Sequence, residues 1–513
     1  MLGANQYSEA QACFRQLLEL EPDNADGHYW LGAMQEYVGQ AAEAEPHLRR
    51  AIALNTRHAD AHARLGLLLA RRGEHEPAVQ HYLAAVSIAP RHADAWCNLG
   101  LSLFALKRWD EAEQAYRGAI ALQPTARVHS NLGNLLVDRQ RVDEAEQHYQ
   151  LATALEPSYA PAYDNLGVLR AEQGRRRDAE ALFRQALALN ADNAQAALNL
   201  AHLLLAEGRL EEGWRHYEAR YSPRLPGVPI FVPKLPFPQW RGEPIVGKSL
   251  LVWLEQGLGD ELQFCRYLPL LQQMGVGKLS FVCRPELFPL LRSLEGVDVL
   301  VPLGDEQADL SGHDYWSFTM SLPMCCGTTL ENIPSQVPYL QAPAERVARW
   351  AAVLPQSGFK IGVAWRGNPI HHNDDDRSLP SLAVLAPLWT VPGTAFVSLQ
   401  KGLGEDEAAS PLAGQAIAAV GGQLADFGDT SAIVAQLDLV VCIDTSIAHL
   451  AGALGKPVWL LLPHHHPDWR WMLERADTPW YPTMRLWRQP ARGDWASVID
   501  AIRGELSLLV SGS

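Results

Sequence analysis

The chain has 513 residues, 48% of them hydrophobic, with a formal net charge of -15 and a pI near 5.6. This is enough apolar material for more than one packed domain, which excludes a disordered chain. The acidic balance argues against DNA or RNA as a partner of the whole molecule, while leaving room for a local basic pocket.

Seven cysteines, Cys13, Cys97, Cys265, Cys283, Cys325, Cys326 and Cys442, are scattered without a CxxC pair. Neither a zinc site nor a disulfide framework is expected. Adjacent Cys325 and Cys326 stand open between a redox pair and two small buried residues. The start, MLGANQYSEA, lacks the basic and apolar regions of a signal peptide. No apolar run approaches the roughly 20 residues of a membrane span. These features predict a soluble, cytoplasmic protein.

In the first half, Leu-Gly recurs at Gly32, Gly66, Gly100, Gly133 and Gly167, in steps of 34, 34, 33 and 34 residues, with Leu200-Ala201 as a degenerate copy. Twelve residues after each comes a small residue (Ala44, Ala78, Ala112, Ala145, Ala179, Gly213). Four further on comes a large one (Leu48, Tyr82, Tyr116, Tyr149, Phe183, Tyr217). Pro90, Pro124 and Pro157 close repeats. The pattern resembles the tetratricopeptide repeat, two antiparallel helices per unit, stacked because no single unit buries its own apolar face. The opening YSEAQACFRQLLELEPDN reads as the second helix of a repeat. It belongs either to a truncated start or to a helix without its partner, which would favour homo-oligomers.

Asn98, Asn131, Asn165 and Asn199 each stand two places before the Gly or Ala. An Asn side chain both donates to and accepts from an extended backbone, so this ladder predicts a groove for a peptide or protein. Asn is also common at this repeat position for structural reasons.

From Ser222 to Pro244 there are seven prolines in 23 residues. Helix and central strand are excluded there. Ile230, Phe231, Val232, Phe237 and Trp240 predict that this joint packs onto a domain. Beyond it, apolar runs at 249–255, 278–283, 298–303, 360–365, 394–400, 437–444 and 457–463 alternate with helical patterns. They predict parallel α/β units in two Rossmann-like domains facing a cleft.

Ligands of such sheets sit beyond the carboxyl ends of strands, which directs attention to four segments. EQGLGDELQF places Asp260 and Glu261 at a helix start, as cleft residues or as a plain cap. AWRGNPIHHNDDDRSL offers Arg377 as a phosphate cation, or as a partner of its own aspartates; its HHNDDD run is consecutive and does not suit a metal. Gln400 and Lys401 follow the 394–400 run. CIDTSIAHLAGALGKP gives strand, turn and helix, whose Asp444, Thr445 and Ser446 suit an anion. His449 on that helix reads either as part of the site or as a core histidine. HHHPDWRW at 464–471 reads as an aromatic loop over a ligand or as a metal run.

Taken together, DTSIAHLAGALGKPVWLLLP resembles the D-T-G-x-x-H-L-A-A-A-L-G-x-P signature of heptosyltransferase-like glycosyltransferases of family nine, with Ser446 in place of the usual glycine. Gly259-Asp260 is similar to their first-domain G-D-x-x-x-x-x-P turn, the proline here standing downstream at Pro269. The plan of repeats followed by a two-domain transferase is also similar to O-linked N-acetylglucosamine transferases. Their Gln-x-x-Lys element is not matched in spacing, since Gln400 and Lys401 are adjacent.

The resemblance implies an α plus α/β chain: a tetratricopeptide superhelix at 1–221, a Pro-rich joint at 222–244, and a GT-B pair of Rossmann-like domains. The acceptor-side domain spans 245–345 and the nucleotide-sugar domain 346–513. It implies metal-independent transfer from a nucleotide-diphosphate sugar, a co-substrate rather than a bound cofactor. Asp260 would be the base, and Arg377, Lys401, Thr445 and Ser446 would neutralise the leaving diphosphate. Asp444 and His449 would shape the loop. A repeat scaffold that binds without catalysis, and an epimerase or a lipopolysaccharide-directed transferase, are the alternatives.

Overall fold

A computed structural model of the chain describes residues 4–225, 227, 230–371 and 373–512. It divides into two compact units, Met1–Ala196 and Ala197–Ser513.

The first unit is helical. After the helix Ala4–Leu20 come the pairs Ala25–Tyr37 with Ala41–Leu54, Ala59–Arg71 with His75–Ile88, Ala93–Ala105 with Trp109–Leu122, Ala126–Asp138 with Val142–Leu155, and Ala160–Glu172 with Arg176–Leu189. The first helices of four pairs begin on Asn24, His58, His92 and Thr125, whose side chains accept the backbone N–H three residues on. These caps satisfy donors that a helix start leaves unpaired.

The Leu-Gly rule has a direct steric cause. A Cβ built on Gly100, Gly133 or Gly167 would stand 2.6, 2.4 and 2.6 Å from the rings of Tyr116, Tyr149 and Phe183. Each ring lies flat on a helix backbone that only glycine leaves bare. A second periodic position lies in the turn inside each pair, where Gly39, Gly73, Lys107, Gln140 and Gly174 all have positive φ. Lys107 and Gln140 hold that left-handed conformation at a cost glycine avoids.

Three repeats carry a histidine pair between their two helices. Nδ1 to Nδ1 distances are 2.9 Å for His28 and His47, 3.0 Å for His62 and His81, and 2.9 Å for His129 and His148. His28 Nε2 donates to the Pro22 carbonyl at 2.9 Å, so its Nδ1 accepts the proton of His47. Trp96 and Tyr163 bond the equivalent carbonyls in other repeats. A second proton on any pair would set two N–H groups face to face.

The second unit opens with the end of the helix Ala194–Ala206 and the helix Leu210–Tyr217, then the Pro-rich joint. Pro226, Val228 and Pro229 lie outside the described residues. The joint runs beside a sheet edge, where Trp240 N–H donates to the Trp316 carbonyl at 2.6 Å and Trp316 N–H to Pro238 at 3.1 Å. Ile230, Phe237 and Trp240 pack inward. Phe231 and Val232 do not, being 71% and 41% exposed. That corrects the expectation for these two residues, although the Phe231 ring still lies 6.4 Å from that of Trp253.

Two all-parallel sheets follow. The first has β1 (Ser249–Trp253), β2 (Lys278–Cys283), β3 (Val299–Pro302) and β4 (Tyr315–Phe318), in the order β3-β2-β1-β4. The second has β5 (Phe359–Ala364), β6 (Thr394–Ser398), β7 (Ile417–Ala419), β8 (Leu439–Ile443), β9 (Val458–Leu462) and β10 (Met484–Arg488), in the order β10-β9-β8-β5-β6-β7. Every residue of β8 and β9 is buried, which is why they read as unbroken apolar runs.

Gly133→Ala should destabilise the array by about 1–3 kcal/mol through overpacking, whereas Lys107→Gly should stabilise it by up to about 1 kcal/mol. Thermal melting of both variants checks the opposite signs. The histidine pairs predict a pH dependence. Burial first, and then neighbouring charge, lowers His47 and His148, and brings His81 down to about 4 from 6.5. The unfolded chain therefore binds more protons in this range. Stability is complete above about pH 6.5 and is lost as pH falls towards about 4. Opening of the helices Ala59–Arg71 and His75–Ile88, read as hydrogen exchange relative to the intrinsic rate at each pH, should rise as pH falls from 7 to 5. A His62→Gln, His81→Gln double variant should flatten that rise, and an unchanged slope would count against the pairs as its source.

Candidate active site

β1 ends on Trp253, Leu254 and Glu255 follow, and the chain turns sharply through Gln256, whose φ is +55°. Gly257 caps the helix Leu258–Phe264, and Asp260 Oδ2 accepts the Gly257 N–H at 2.8 Å. β8 ends on Ile443. Asp444 follows, Thr445 caps the helix Ser446–Ala453, and Thr445 Oγ1 accepts the Ile447 N–H at 3.4 Å. Ser446 takes the first helical position.

These two helices pack together. A Cβ on Gly259 would lie 2.9 Å from His449 Cδ2 and 3.5 Å from Ser446 Cα. The Gly-Asp turn and the Asp-Thr-Ser turn, 184 residues apart in sequence (444 minus 260), thus share one location.

Arg470 joins the two sides. Its Nε donates to Gln263 Oε1 at 2.6 Å, its Nη1 to both oxygens of Asp468 at 2.9 Å, and its Nη2 to Asp260 Oδ1. The guanidinium lies over Trp469 at 4.4 Å and over Phe264 at 5.6 Å. Burial opposes the charges. The carboxylates nevertheless hold Arg470 firmly protonated, and Arg470 keeps the Asp468 carboxyl below its usual range. Asp260, which the resemblance implies is the base, is thus a carboxylate paired with Arg470 in this structure.

The remaining expected residues fall in distinct places. His449 is buried, Nδ1 lies 3.0 Å from Tyr481 Oη, and its ring stacks on Trp471. Burial, aided by the charge of Arg470, depresses it to about 3, so it is a neutral imidazole that shapes the core. Asp444 is pushed up to about 6 by burial and by the charge of Asp468. Arg377 Nη1 donates to the Asp444 carbonyl at 3.1 Å while Nε donates to Asp374 at 3.2 Å, so it reaches the turn although it is also paired with its own loop. His372, within the HHNDDD run, lies outside the described residues.

Gln400 does other work. Its Oε1 accepts the N–H groups of Trp365 and Arg366, and its Nε2 donates to the Arg366 and Leu403 carbonyls, which brackets the loop after β5. Lys401 donates to the Gly421 and Leu424 carbonyls, beyond β6, two strands from β8. Asn98 accepts from Arg127 at 3.2 Å, and Asn165 donates to Ser130 at 3.0 Å, each to a neighbouring repeat helix; Asn131 lies against Cys97. Asn199 belongs to the second compact unit.

Sequence reasoning missed Arg470 and Arg266, and placed Glu261 in the cleft where the structure buries it. Arg470 had one signal: its PDWRW segment follows a buried strand. Arg266 is buried against Tyr339, Trp480 and Tyr481 and bonds the Trp480 carbonyl at 2.6 Å, with no carboxylate partner among the described residues. Glu261 is fully buried; Oε1 accepts the Arg284 N–H at 2.9 Å, and burial pushes its carboxyl up to about 7. Among the described residues, no three His, Cys, Asp or Glu side chains gather in metal-binding geometry, and no helix is long and apolar enough to cross a membrane.

The comparisons with known proteins bear mainly on the first half. Residues 3–222 match the family model of the cilia and flagella-associated protein 70 C-terminal domain, a tetratricopeptide-repeat region. The chain is 31% identical over 307 residues to Protein FlbA of Caulobacter vibrioides, an alignment covering 56% of this chain and 50% of that protein. The chain thus spans about half the length of that curated relative. Among solved structures it is similar to YrrB, a TPR protein with an unusual peptide-binding site, at 21% identity and TM-score 0.31, covering 36% of this chain and 95% of that one. It is also similar to Pseudomonas aeruginosa PilF at 22% identity and TM-score 0.34, covering 38% and 87%. The N-terminal part of the chain is a tetratricopeptide-repeat array, followed in sequence by a parallel-sheet α/β region.

Gly259→Ala should force the two turn helices apart and cost about 1–3 kcal/mol. Hydrogen exchange in the helix Ser446–Ala453 should rise and the melting temperature should fall. Unchanged protection would mean that the close approach of Gly259 to His449 is not required.

Proposed function

We propose that the chain is a metal-independent glycosyltransferase, moving a sugar from a nucleotide-diphosphate sugar to a protein or peptide gathered by the repeat array. The observation that supports this reading is the meeting of the Gly-Asp and Asp-Thr-Ser turns. Ligands of parallel sheets sit where strand order reverses. β1 and β4 flank that point in the first sheet, β5 and β8 in the second. The loops after β5 and β8 are tied by the bond from Arg377 to the Asp444 carbonyl.

In this reading the two sheets form a GT-B pair. The acceptor hydroxyl gives its proton to Asp260, and its oxygen bonds to the anomeric carbon. The bond from that carbon to the diphosphate breaks, and the nucleoside diphosphate leaves with the electron pair. Arg377, Ser446 and the N–H groups at the helix start stabilise the charge that develops. Asp260 can serve only after parting from Arg470.

That requirement favours a second reading, a scaffold that binds a nucleotide without transfer. The discriminating assay offers the full chain a panel of nucleotide sugars with peptide acceptors, and follows nucleoside diphosphate release and sugar mass on the acceptor. One donor should support both, and Arg377→Ala should lower turnover by about 100-fold. Tight nucleotide binding without turnover by any donor would select the scaffold.

A further inference from the structure

The Arg470 side chain, in the loop after β9, bonds the helix that carries the Gly-Asp turn, and its bonds are unequal. Nε and Nη1 are spent on Gln263 and on both oxygens of Asp468, the latter in its own loop. Nη2 reaches Asp260, on the same helix as Gln263, through a single carboxylate oxygen. The Asp260 side chain is 17% exposed and that of Arg470 is 6% exposed, so Asp260 is the outer member of the pair.

One further donor beside the guanidinium is unspent. Gln263 Nε2 is fully buried and has no hydrogen-bond partner among the described residues. Unpaired buried donors are uncommon and suit a ligand rich in acceptors. The backbone on both sides is held out of its relaxed range: Gln256 before the Asp260 helix, and His466 and Met472 around Arg470, have φ of +55°, +49° and +56°. Such residues cluster at active sites, ligand clamps and switch regions.

We propose that Arg470 is a latch: a positioning residue that holds Asp260 until a diphosphate group takes the same Nη2 contact and frees the carboxylate. This rests on the transfer reading above for its ligand class. A guanidinium matches phosphate oxygens as well as it matches a carboxylate. Arg470 keeps Gln263 and Asp468 throughout, so one bond is exchanged and the side chain stays anchored. Donor binding and release of the base become one event. Without the diphosphate, Asp260 is unavailable and the acceptor is not deprotonated.

Competition for one guanidinium has a reciprocal consequence: whatever weakens the hold of Asp260 must tighten the diphosphate. Calorimetric titration of the full chain with inorganic pyrophosphate, and separately with a nucleoside diphosphate, tests this. Asp260→Asn should bind pyrophosphate at least about fivefold more tightly than the wild type, and Arg470→Lys at least about tenfold more weakly. Asp260→Ser replaces Asp260→Asn if that variant does not fold. Unchanged or weaker binding by the Asp260 variant, wild-type binding by Arg470→Lys, or no binding by any form would overturn the latch. The transfer reading fails separately. Tightening in Asp260→Asn with no turnover by the wild type keeps the latch and removes transfer. Turnover without tightening keeps transfer and removes the latch.

Discussion

The second compact unit depends on one buried interaction, the grip of Arg470 on Asp260. Burying a guanidinium is costly unless its N–H groups and its charge are met. Here they are met by Asp260 and Gln263 on the helix after β1, and by Asp468 in the loop after β9. One side chain therefore fixes a helix of the first sheet against a loop of the second. The packing of Gly259 on His449, the stacking of His449 on Trp471 and the aromatic cluster of Phe264, Trp469 and Trp480 surround it. Tyr217 and Trp214, from the helix Leu210–Tyr217, complete that cluster. A fully buried pair, Arg220 with Glu255 two residues beyond β1, anchors the adjoining segment beside the same strand.

The first unit is governed by contact rather than charge. Its repeat follows from rings lying on bare glycine backbone, and many of its ion pairs are exposed and contribute little. This explains why the array was legible in the sequence over some 200 residues. A steric rule repeated at fixed spacing leaves the same residue types at the same places. The left-handed turn position was harder to see, because Lys107 and Gln140 occupy it in two repeats and break the glycine ladder there.

In the α/β region, the sequence reading located seven of the ten strands. The three it missed, β4, β7 and β10, all lie at sheet edges. An edge strand is covered on fewer sides and needs no unbroken apolar run; Arg485 and Arg488 interrupt the apolar residues of Met484–Arg488, and Ile417–Ala419 is three residues long. Of the site, the two turns were visible as strand-to-helix switches. Their convergence was not, because nothing local records that Gly259 meets His449. Arg470 was hidden for the same reason. Its role depends on Asp260, 210 residues away, and neither residue announces the other. Gln400 looked like a ligand residue because it ends a strand, yet its amide is consumed by the neighbouring loop.

If the Arg470–Asp260 pair is what ties the two sheets, its energy must belong to the pair and not to either residue alone. A double-mutant cycle with Asp260→Asn, Arg470→Met and the combined variant, each followed by urea denaturation of the α/β region, measures this directly. A coupling of about 1–3 kcal/mol is predicted, in the range of contacting buried partners. A coupling within about 0.3 kcal/mol of zero would contradict the account.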